Sequence, residues 1–245
     1  MAFDNQTTRL PNGVTNAAPW QTMGAAGIPD PSWAHVFHND FDTYAAGDWT
    51  VSLVGTGTAA LAAVDGGQLL LTTTAGIADA DYLQPVVASF KLLAATDTYF
   101  KFSGVLSDVM NCVFYAGLIA KSATPLAAAD GVYIAKPTGA AALELRCVIG
   151  GVTTTVPFPA TAIPVAATPF EIGFHIDYQG NVEVFFNPTT GMSFPAAAGS
   201  ARGRVASVTG LALTQVLLCP SFGILNSTAA ARTLGVDYVT AVRER

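Results

Sequence analysis

The sequence has 245 residues, enough for one large β domain or two smaller domains. Hydrophobic residues make up 51% of it and charged residues only 11%, with a net charge of −6. A protein with a negative net charge is not expected to bind nucleic acid. The sequence contains no apolar run of about 20 residues, so no membrane-spanning helix is predicted. A surface with so few charges favours extensive contact with other proteins.

Residues 1–36 are predicted to form an extended N-terminal arm, and residues 37–245 a single β-sandwich domain. Neither a strand nor a helix period runs through the arm, and its prolines forbid regular ladders. Its large apolar side chains would be costly to leave in water, so we predict that the arm docks on another protein. The alternative is that its tryptophans fill an open end of the sandwich. The predicted anchors are Pro19, Trp20, Met23, Ile28, Pro29 and Trp33.

Beyond the arm, short segments separated by Gly, Pro, Asn and Asp predict roughly a dozen β-strands. Residues 98–106 alternate, with apolar side chains on one face and Tyr99 and Lys101 on the other. Residues 112–120 and 215–225 are apolar on both faces. The last two segments are therefore predicted to be central strands, covered by the second sheet on one side and by a loop or a neighbouring subunit on the other.

Residues 143–149 alternate as well, with Glu144 and Arg146 pointing outward. Residues 170–178 form the clearest half-buried strand, and the turn residues 179–181 lead into a second apolar strand. This pair predicts a β-hairpin.

The closing segment, LGVDYVTAVRER, is predicted to be a strand in which Val236, Tyr238 and Val242 share one face. Helix signals are weak, because the Ala-rich segments are short and bounded by glycine. The strand spacing predicts a two-sheet sandwich with Greek-key or jelly-roll connections.

The cysteines and histidines show no metal-binding spacing. Cys112, Cys147 and Cys219 each lie in an apolar run, which predicts three buried thiols. An odd number of cysteines, without a recognisable signal peptide, fits a reducing cytosol. His35 and His38 are three residues apart and would face opposite ways on a strand, so they make a poor metal pair, and a structural role is predicted for His35.

One strand carries a group of ionisable residues. Glu171, His175 and Asp177 have the spacing that predicts a shared strand face, which would suit acid–base chemistry or simply a charged outer surface.

The acidic residues do not predict an enzyme or metal site. Glu144, Glu171 and Glu183 alternate with apolar neighbours, but nothing in the sequence places two of them across a groove as a glycosidase requires. Asp79 and Asp81 supply too few oxygen ligands for calcium. We therefore predict no catalytic residues, no metal site, no cofactor and no enzymatic activity.

Six segments follow one another as they do in concanavalin A-like jelly-roll domains. They are FHNDFDTYAAGDWTV, DGGQLLLTTTAG, FYAGLIAKS, DGVYIAKPTGAAALELRCVIGG, FEIGFHIDYQGNVEVFFN and LGVDYVTAV. The resemblance covers about residues 37–245 and implies an all-β, two-sheet antiparallel jelly-roll sandwich. The paired acidic motif of the enzymes of this family is missing.

With its arm and its Ala-, Thr- and Gly-rich composition, the whole chain resembles the head decoration (cement) proteins of tailed bacteriophages. This resemblance implies a non-enzymatic virion protein that binds the outside of the capsid lattice through its arm and stabilises it. The implied partners are the major capsid protein and further copies in a homotrimer, after synthesis in the host cytoplasm. Alternatives are a tail or baseplate component, a lectin-like module that binds surface glycans for host attachment, or a glycoside hydrolase or lyase.

Overall fold

The computed structural model describes residues 34–94, 96–139, 142–186, 204–211 and 213–245. Two single-turn 3-10 helices, Ala46–Asp48 and Pro125–Ala127, accompany fifteen strands, and in these ranges no helix has the length and hydropathy to cross a membrane. The strands are β1 (Ala34–Asn39), β2 (Trp49–Val54), β3 (Thr58–Leu61), β4 (Leu69–Thr72), β5 (Ala80–Pro85), β6 (Thr98–Leu106), β7 (Cys112–Ala120), β8 (Gly131–Lys136), β9 (Glu144–Ile149), β10 (Val152–Pro157), β11 (Phe170–Ile176), β12 (Val182–Phe186), β13 (Arg204–Val208), β14 (Leu218–Asn226) and β15 (Thr233–Glu244).

The strands form two antiparallel sheets, as predicted. The eight-stranded sheet has the order β13-β12-β11-β6-β15-β4-β3, and β1 also pairs with β15. The seven-stranded sheet has the order β10-β9-β8-β7-β14-β5-β2. Strand β15 is long enough to pair with β4 through residues 233–236 and with β1 through residues 239–244, while β6 runs along its other side.

The core lies between the two sheets, because alternation turns one apolar face of each sheet inward. Phe102 of the eight-stranded sheet packs 5.4 Å from Phe114 and 5.9 Å from Phe222 of the opposite sheet, measured between ring centroids. All three side chains are fully buried. The predicted buried thiols, Cys112, Cys147 and Cys219, are confirmed to be buried as well.

The two segments predicted to be central strands are β7 and β14, and they pair with each other at the middle of the seven-stranded sheet. Their outer face is also covered. Tyr115 of β7 lies in a second apolar cluster with Tyr82 and Tyr133, and the loop residues Leu126 and Ala128 pack against this cluster. A loop of the same chain therefore provides the predicted second cover.

The predicted hairpin is confirmed as β11 and β12, joined by a turn at residues 177–181. The face predicted for the last strand is wrong in one respect. Val236 lies in the core, whereas Tyr238 and Val242 lie on the outer face. A β-bulge between Val236 and Tyr238 inserts one extra residue, and this reverses the side to which every later side chain points.

Strand β1 pairs with β15 from Ala34 onward, so regular structure crosses the predicted boundary between residues 36 and 37. The predicted arm anchors lie outside the described residues; they are Pro19, Trp20, Met23, Ile28, Pro29 and Trp33.

Candidate functional site

The outer surfaces of the two sheets differ. On the seven-stranded sheet, the three tyrosines of the second cluster are almost completely buried beneath the loop that carries Leu126. On the eight-stranded sheet, polar and aromatic side chains from four neighbouring strands, together with Asp97 just before β6, lie on the outer side; most are half-buried or exposed, and His175 is 7% exposed. We call this set the polar face; its members are His38, Asp97, Tyr99, Lys101, Glu171, His175, Tyr238 and Thr240.

Strand register explains why these residues meet. Across β11, β6 and β15, Glu171 is opposite Ser103 and Ser103 is opposite Tyr238. The small Ser103 side chain leaves room above it, and the Tyr238 hydroxyl donates a hydrogen bond to Glu171 Oε1 at 2.6 Å. A residue pair two strands apart is thus joined directly.

A lysine completes this group. Lys101 Nζ lies 3.3 Å from Glu171 Oε1 and 4.9 Å from the centroid of the Tyr238 ring. The ammonium therefore forms both an ion pair and a cation–π contact. Burial, followed by the hydrogen bond to Glu171, raises the pKa of the Tyr238 phenol far above its ordinary value, so the phenol remains a hydrogen-bond donor at neutral pH.

The next row of the sheet holds a second group. His175 and Tyr99 are direct cross-strand partners, and their rings stack at a centroid distance of 4.5 Å and an interplanar angle of 6°. Asp97 Oδ2 lies 2.9 Å from His175 Nε2 and accepts a hydrogen bond from the Tyr99 hydroxyl at 3.2 Å. One carboxylate oxygen thus orients both rings.

His38 extends the polar face onto β1. Its Nδ1 lies 2.7 Å from Thr240 Oγ1, and its ring centroid is 6.5 Å from that of Tyr238. Thr240 is in turn opposite Lys101 on β6. The polar face therefore spans β1, β15, β6 and β11, with two aromatic groups set among hydroxyl, carboxylate and ammonium groups.

Neighbouring groups hold the charged side chains of the polar face in fixed positions. The Glu171 and Asp97 carboxylates each accept a hydrogen bond from a tyrosine and each face a cationic or imidazole nitrogen. Such contacts fix the side chains in one geometry, which is what a preformed binding surface needs.

Two of the three ionisable residues predicted to share a strand face do so. Glu171 and His175 both point outward from β11. Asp177 does not, because β11 ends at Ile176. Its carboxylate instead accepts hydrogen bonds from the backbone N–H groups of Gln179 and Asn181, both at 2.8 Å, and closes the hairpin turn.

The predicted acidic candidates are divided between the sheets. Glu183 is opposite His175 on the eight-stranded sheet and shares the outer face with Glu171. Glu144 lies on the seven-stranded sheet, where its Oε1 is 2.5 Å from Arg146 Nε.

Asp79 and Asp81 have separate environments. Asp79 lies in a loop, where its Oδ2 accepts hydrogen bonds from the Thr74 hydroxyl and from the Gly76 N–H. Asp81 lies within β5 on the core-facing side. Burial raises the pKa of the Asp81 carboxyl to about 6. Within the described ranges, His, Cys, Asp and Glu residues form no group of three that would hold a metal ion.

The two N-terminal histidines point to opposite faces of β1, as predicted. His35 Nε2 lies 3.0 Å from Ser89 Oγ, and its ring packs 4.6 Å from that of Phe90. His35 is therefore a packing residue, whereas His38 belongs to the polar face.

A cavity lies at one edge of the sandwich, where β10 of one sheet approaches β13 of the other. We call it the edge slot; it measures about 390 Å³ and is lined by Cys147, Ile149, Val152, Thr154, Val208, Thr209, Gly210 and Leu211.

No protein-family model matches the sequence, and no curated protein is significantly similar to it. Solved structures nevertheless share its fold. An endo-β-1,4-glucuronan lyase from the fungus Trichoderma reesei superposes with a TM-score of 0.55 at 16% identity, over 84% of this chain and 94% of the lyase. Peanut lectin superposes with a TM-score of 0.53 at 10% identity, over 86% and 97% of the two chains.

The carbohydrate recognition domain of Emp47p gives a TM-score of 0.55 at 10% identity, over 87% of this chain and 98% of that domain. Likeness at such low identity shows the fold alone. That fold is the concanavalin A-like jelly roll predicted from the order of the sequence segments.

Proposed function

We propose that the protein is a non-enzymatic, lectin-like carbohydrate-binding protein, and that it binds glycans on the polar face. The observation that carries the proposal is the rigid pair of aromatic groups, Tyr238 with Lys101 and Glu171, and Tyr99 with His175, on one side of a sheet. The similar solved structures support the same class of ligand, since they include a lectin and a carbohydrate recognition domain.

Sugar chemistry matches this surface. A pyranose ring presents C–H groups on its faces and hydroxyl groups around its rim. Flat aromatic rings pack against the C–H faces, and fixed carboxylate and ammonium groups exchange hydrogen bonds with the hydroxyls. Because the polar face already holds these groups in place, little side-chain entropy is lost when a glycan binds.

Charge suggests which glycans are preferred. The described polar face sets the Asp97 and Glu171 carboxylates against the single Lys101 ammonium, and the whole chain has a net charge of −6. We therefore expect neutral glycans to bind more tightly than polymers of uronic acids, because a ligand carboxylate would be repelled.

The test is a glycan array followed by titration calorimetry with the best ligand. We expect Glu171→Gln to weaken binding by about tenfold to a hundredfold, because a hydrogen bond to a charged group is worth about 1.5–3 kcal/mol. The matched control is Glu144→Gln, which removes a carboxylate from an ion pair on the outer side of the other sheet. The control should bind like the unchanged protein.

Equal loss in the two variants, or full binding by both, would contradict the polar-face assignment. Incubation of the unchanged protein with each bound polysaccharide, followed by chromatography of the products, tests the non-enzymatic part. Release of oligosaccharides that stops in Glu171→Gln or Glu183→Gln would instead establish a hydrolase or a lyase.

A virion decoration role is a second proposal. Four large apolar side chains of the described residues are between 62% and 72% exposed, which favours contact with other proteins; they are Ile77, Val87, Val152 and Val165. In this proposal the chain binds the major capsid protein on the capsid exterior through residues 1–36, with Trp20 and Trp33 among the anchors. A tail or baseplate location is the alternative.

Coexpression with a major capsid protein encoded in the same genome tests this second proposal. Because β1 is described from Ala34, the deletion should stop at residue 33 and keep every described strand. We expect the unchanged chain to cosediment with capsid shells and the truncated chain to remain in solution. Cosedimentation of both chains would remove the arm from the proposal.

A further inference from the structure

Strand β10 is an open edge of the seven-stranded sheet. Among the described strands it pairs only with β9. Val152 is 72% exposed, Thr153, Thr154 and Thr155 are exposed, and the strand contains no charged residue. Edge strands of monomeric proteins are usually protected by charges, bulges or a covering segment, because an open edge pairs with another chain.

The turn before β10 determines which of its backbone groups point outward. Gly150 and Gly151 have φ values of 57° and 81°, as in a two-residue type I′ turn. Such a turn makes Ile149 and Val152 a hydrogen-bonded pair, and in an antiparallel ladder these pairs alternate with non-hydrogen-bonded ones. The N–H and C=O groups of Thr153 and Thr155 therefore point away from β9, toward the open edge.

The residues Val152–Val156 read Val-Thr-Thr-Thr-Val, which is the same in both directions. We propose that β10 pairs antiparallel with β10 of a second copy of this chain about a two-fold axis at Thr154, which joins two seven-stranded sheets into one. Around that axis Thr153 lies opposite Thr155 of the second copy, and each Val152 lies opposite a Val156. All contacts are thus self-complementary, as a two-fold interface requires.

This register pairs every outward-pointing N–H group of the strand. Thr153 and Thr155 of the two copies exchange four hydrogen bonds. Beyond them, Pro157 lies opposite Gly151 of the second copy, and neither has an N–H to offer, since proline lacks one and the Gly151 N–H bonds to Ala129 O at 2.8 Å. An axis at Thr153 would place the Thr155 N–H opposite the carbonyl of Gly151, which lies in the turn with a φ of 81°, and an axis at Thr155 would pair Thr153 with Pro157. Either shift also separates the two valine pairs.

The edge slot adds to the contact area. Val152 and Thr154 line it, so the slots of the two copies adjoin at the axis. A stable homodimer interface buries about 1,200–2,000 Å² in total, and five strand residues supply only part of this area. We therefore expect a dimer whose population depends on concentration within the range of a standard sedimentation experiment.

Sedimentation equilibrium tests the association. The mass should rise from 25.2 kDa toward twice that value as the concentration of the full chain increases. The double variant Thr153→Lys/Thr155→Lys places lysines opposite each other and should stay monomeric at concentrations where the unchanged chain is dimeric. The matched control, Thr58→Lys/Ala60→Lys, changes two exposed residues on the edge strand β3 of the other sheet and should still dimerise.

Charge complementation and cross-linking test the pairing itself. The variant Thr153→Glu/Thr155→Glu should be monomeric alone and form a heterodimer when mixed with the lysine variant. Thr154→Cys should form an intermolecular disulfide, because symmetric positions on the axis are about 4.5 Å apart between Cα atoms. Thr153→Cys should not, since its symmetry mate is two residues out of register.

Three results would overturn the proposal. They are a monomer at every concentration, a dimer that the lysine pair on β10 leaves intact, and a trimeric mass. A trimer would instead support the self-association implied by the decoration-protein resemblance, because a two-fold strand pairing closes at two copies.

Discussion

At the scale of single residues, the Asp81 carboxyl is an unusual occupant of the core. It is 0% exposed, and among the described residues neither of its oxygens has a hydrogen-bond partner. Burial raises the pKa of this carboxyl from 3.8 to about 6. Tyr44 lies close enough for the Asp81 charge to contribute, after burial, to the raised pKa of its phenol.

This pKa gives a prediction about stability. The folded chain binds the Asp81 proton more tightly than the unfolded chain does. The contribution of Asp81 to the free energy of unfolding is therefore greatest below pH 4, falls as the pH rises to 6, and is constant at higher pH. Asp81→Asn removes the charge, and we expect it to raise the free energy of unfolding at pH 8 by up to about 3 kcal/mol. Urea denaturation at pH 8 and at pH 4 measures this, and an equal difference at both pH values would contradict it.

Part of the polar face could be predicted from the spacing of single residues in the sequence. The spacing of Glu171 and His175 was sufficient to predict that they share a surface. Tyr99 and Lys101 were correctly predicted to point outward from their own strand. Nothing local connected these two pairs, because the contacts cross from β6 to β11 and depend on which strands are neighbours. Tyr238 was wrongly predicted to share a face with Val236, because the β15 bulge leaves no recognisable mark in the sequence.

At the scale of elements, the local pattern of apolar and polar residues predicted which strands are central and which form a hairpin. It did not predict which distant strands are neighbours in a sheet. The doubly apolar segments became the central strands β7 and β14, and the Gln-Gly-Asn turn became a hairpin. The assignment of strands to the two sheets depends on pairings between distant segments, such as β6 with β15, and alternation alone does not encode these pairings.

The β7–β8 pair supplies a prediction at this scale. A Cβ atom added to Gly117 would lie 2.4 Å from the Cα of Tyr133 and 2.4 Å from the carbonyl oxygen of Val132. Backbone atoms cannot rotate away, so Gly117→Ala must push the two strands apart. We expect it to lower the free energy of unfolding by about 1–3 kcal/mol or more, as overpacking does.

The control for Gly117→Ala is Gly47→Ala, where an added Cβ has no neighbour within 4 Å. Urea denaturation followed by circular dichroism should show a large shift of the midpoint for the first variant and little change for the second. Equal midpoints in the two variants would mean that the β7–β8 contact tolerates a methyl group.

At the scale of the whole molecule, the three thiols report on cooperative opening. Cys112, Cys147 and Cys219 are at most 1% exposed, and burial raises the pKa of the Cys112 thiol to about 11 and that of Cys147 to about 12. A buried, protonated thiol does not react with disulfide reagents. We expect no reaction of the native chain with Ellman's reagent, and reaction of all three thiols in urea at the midpoint seen by circular dichroism.

Earlier reaction of Cys112 or Cys219 would contradict a single cooperative unit. Cys147 is the most informative of the three, because it lines the edge slot. Its selective labelling would show that the slot admits the reagent while the rest of the sandwich remains closed.

The positions of β14 and β15 also determine when the protein folds during its synthesis. Each lies inside its sheet, β14 between β7 and β5, and β15 between β6 and the β4 and β1 edge, yet both come after residue 217. While the ribosome is still making β14 and β15, the earlier strands of both sheets lack these neighbours, and their edges remain unpaired. The nascent chain therefore remains exposed to aggregation until its last strands emerge, and its yield in cells should depend on the supply of chaperones.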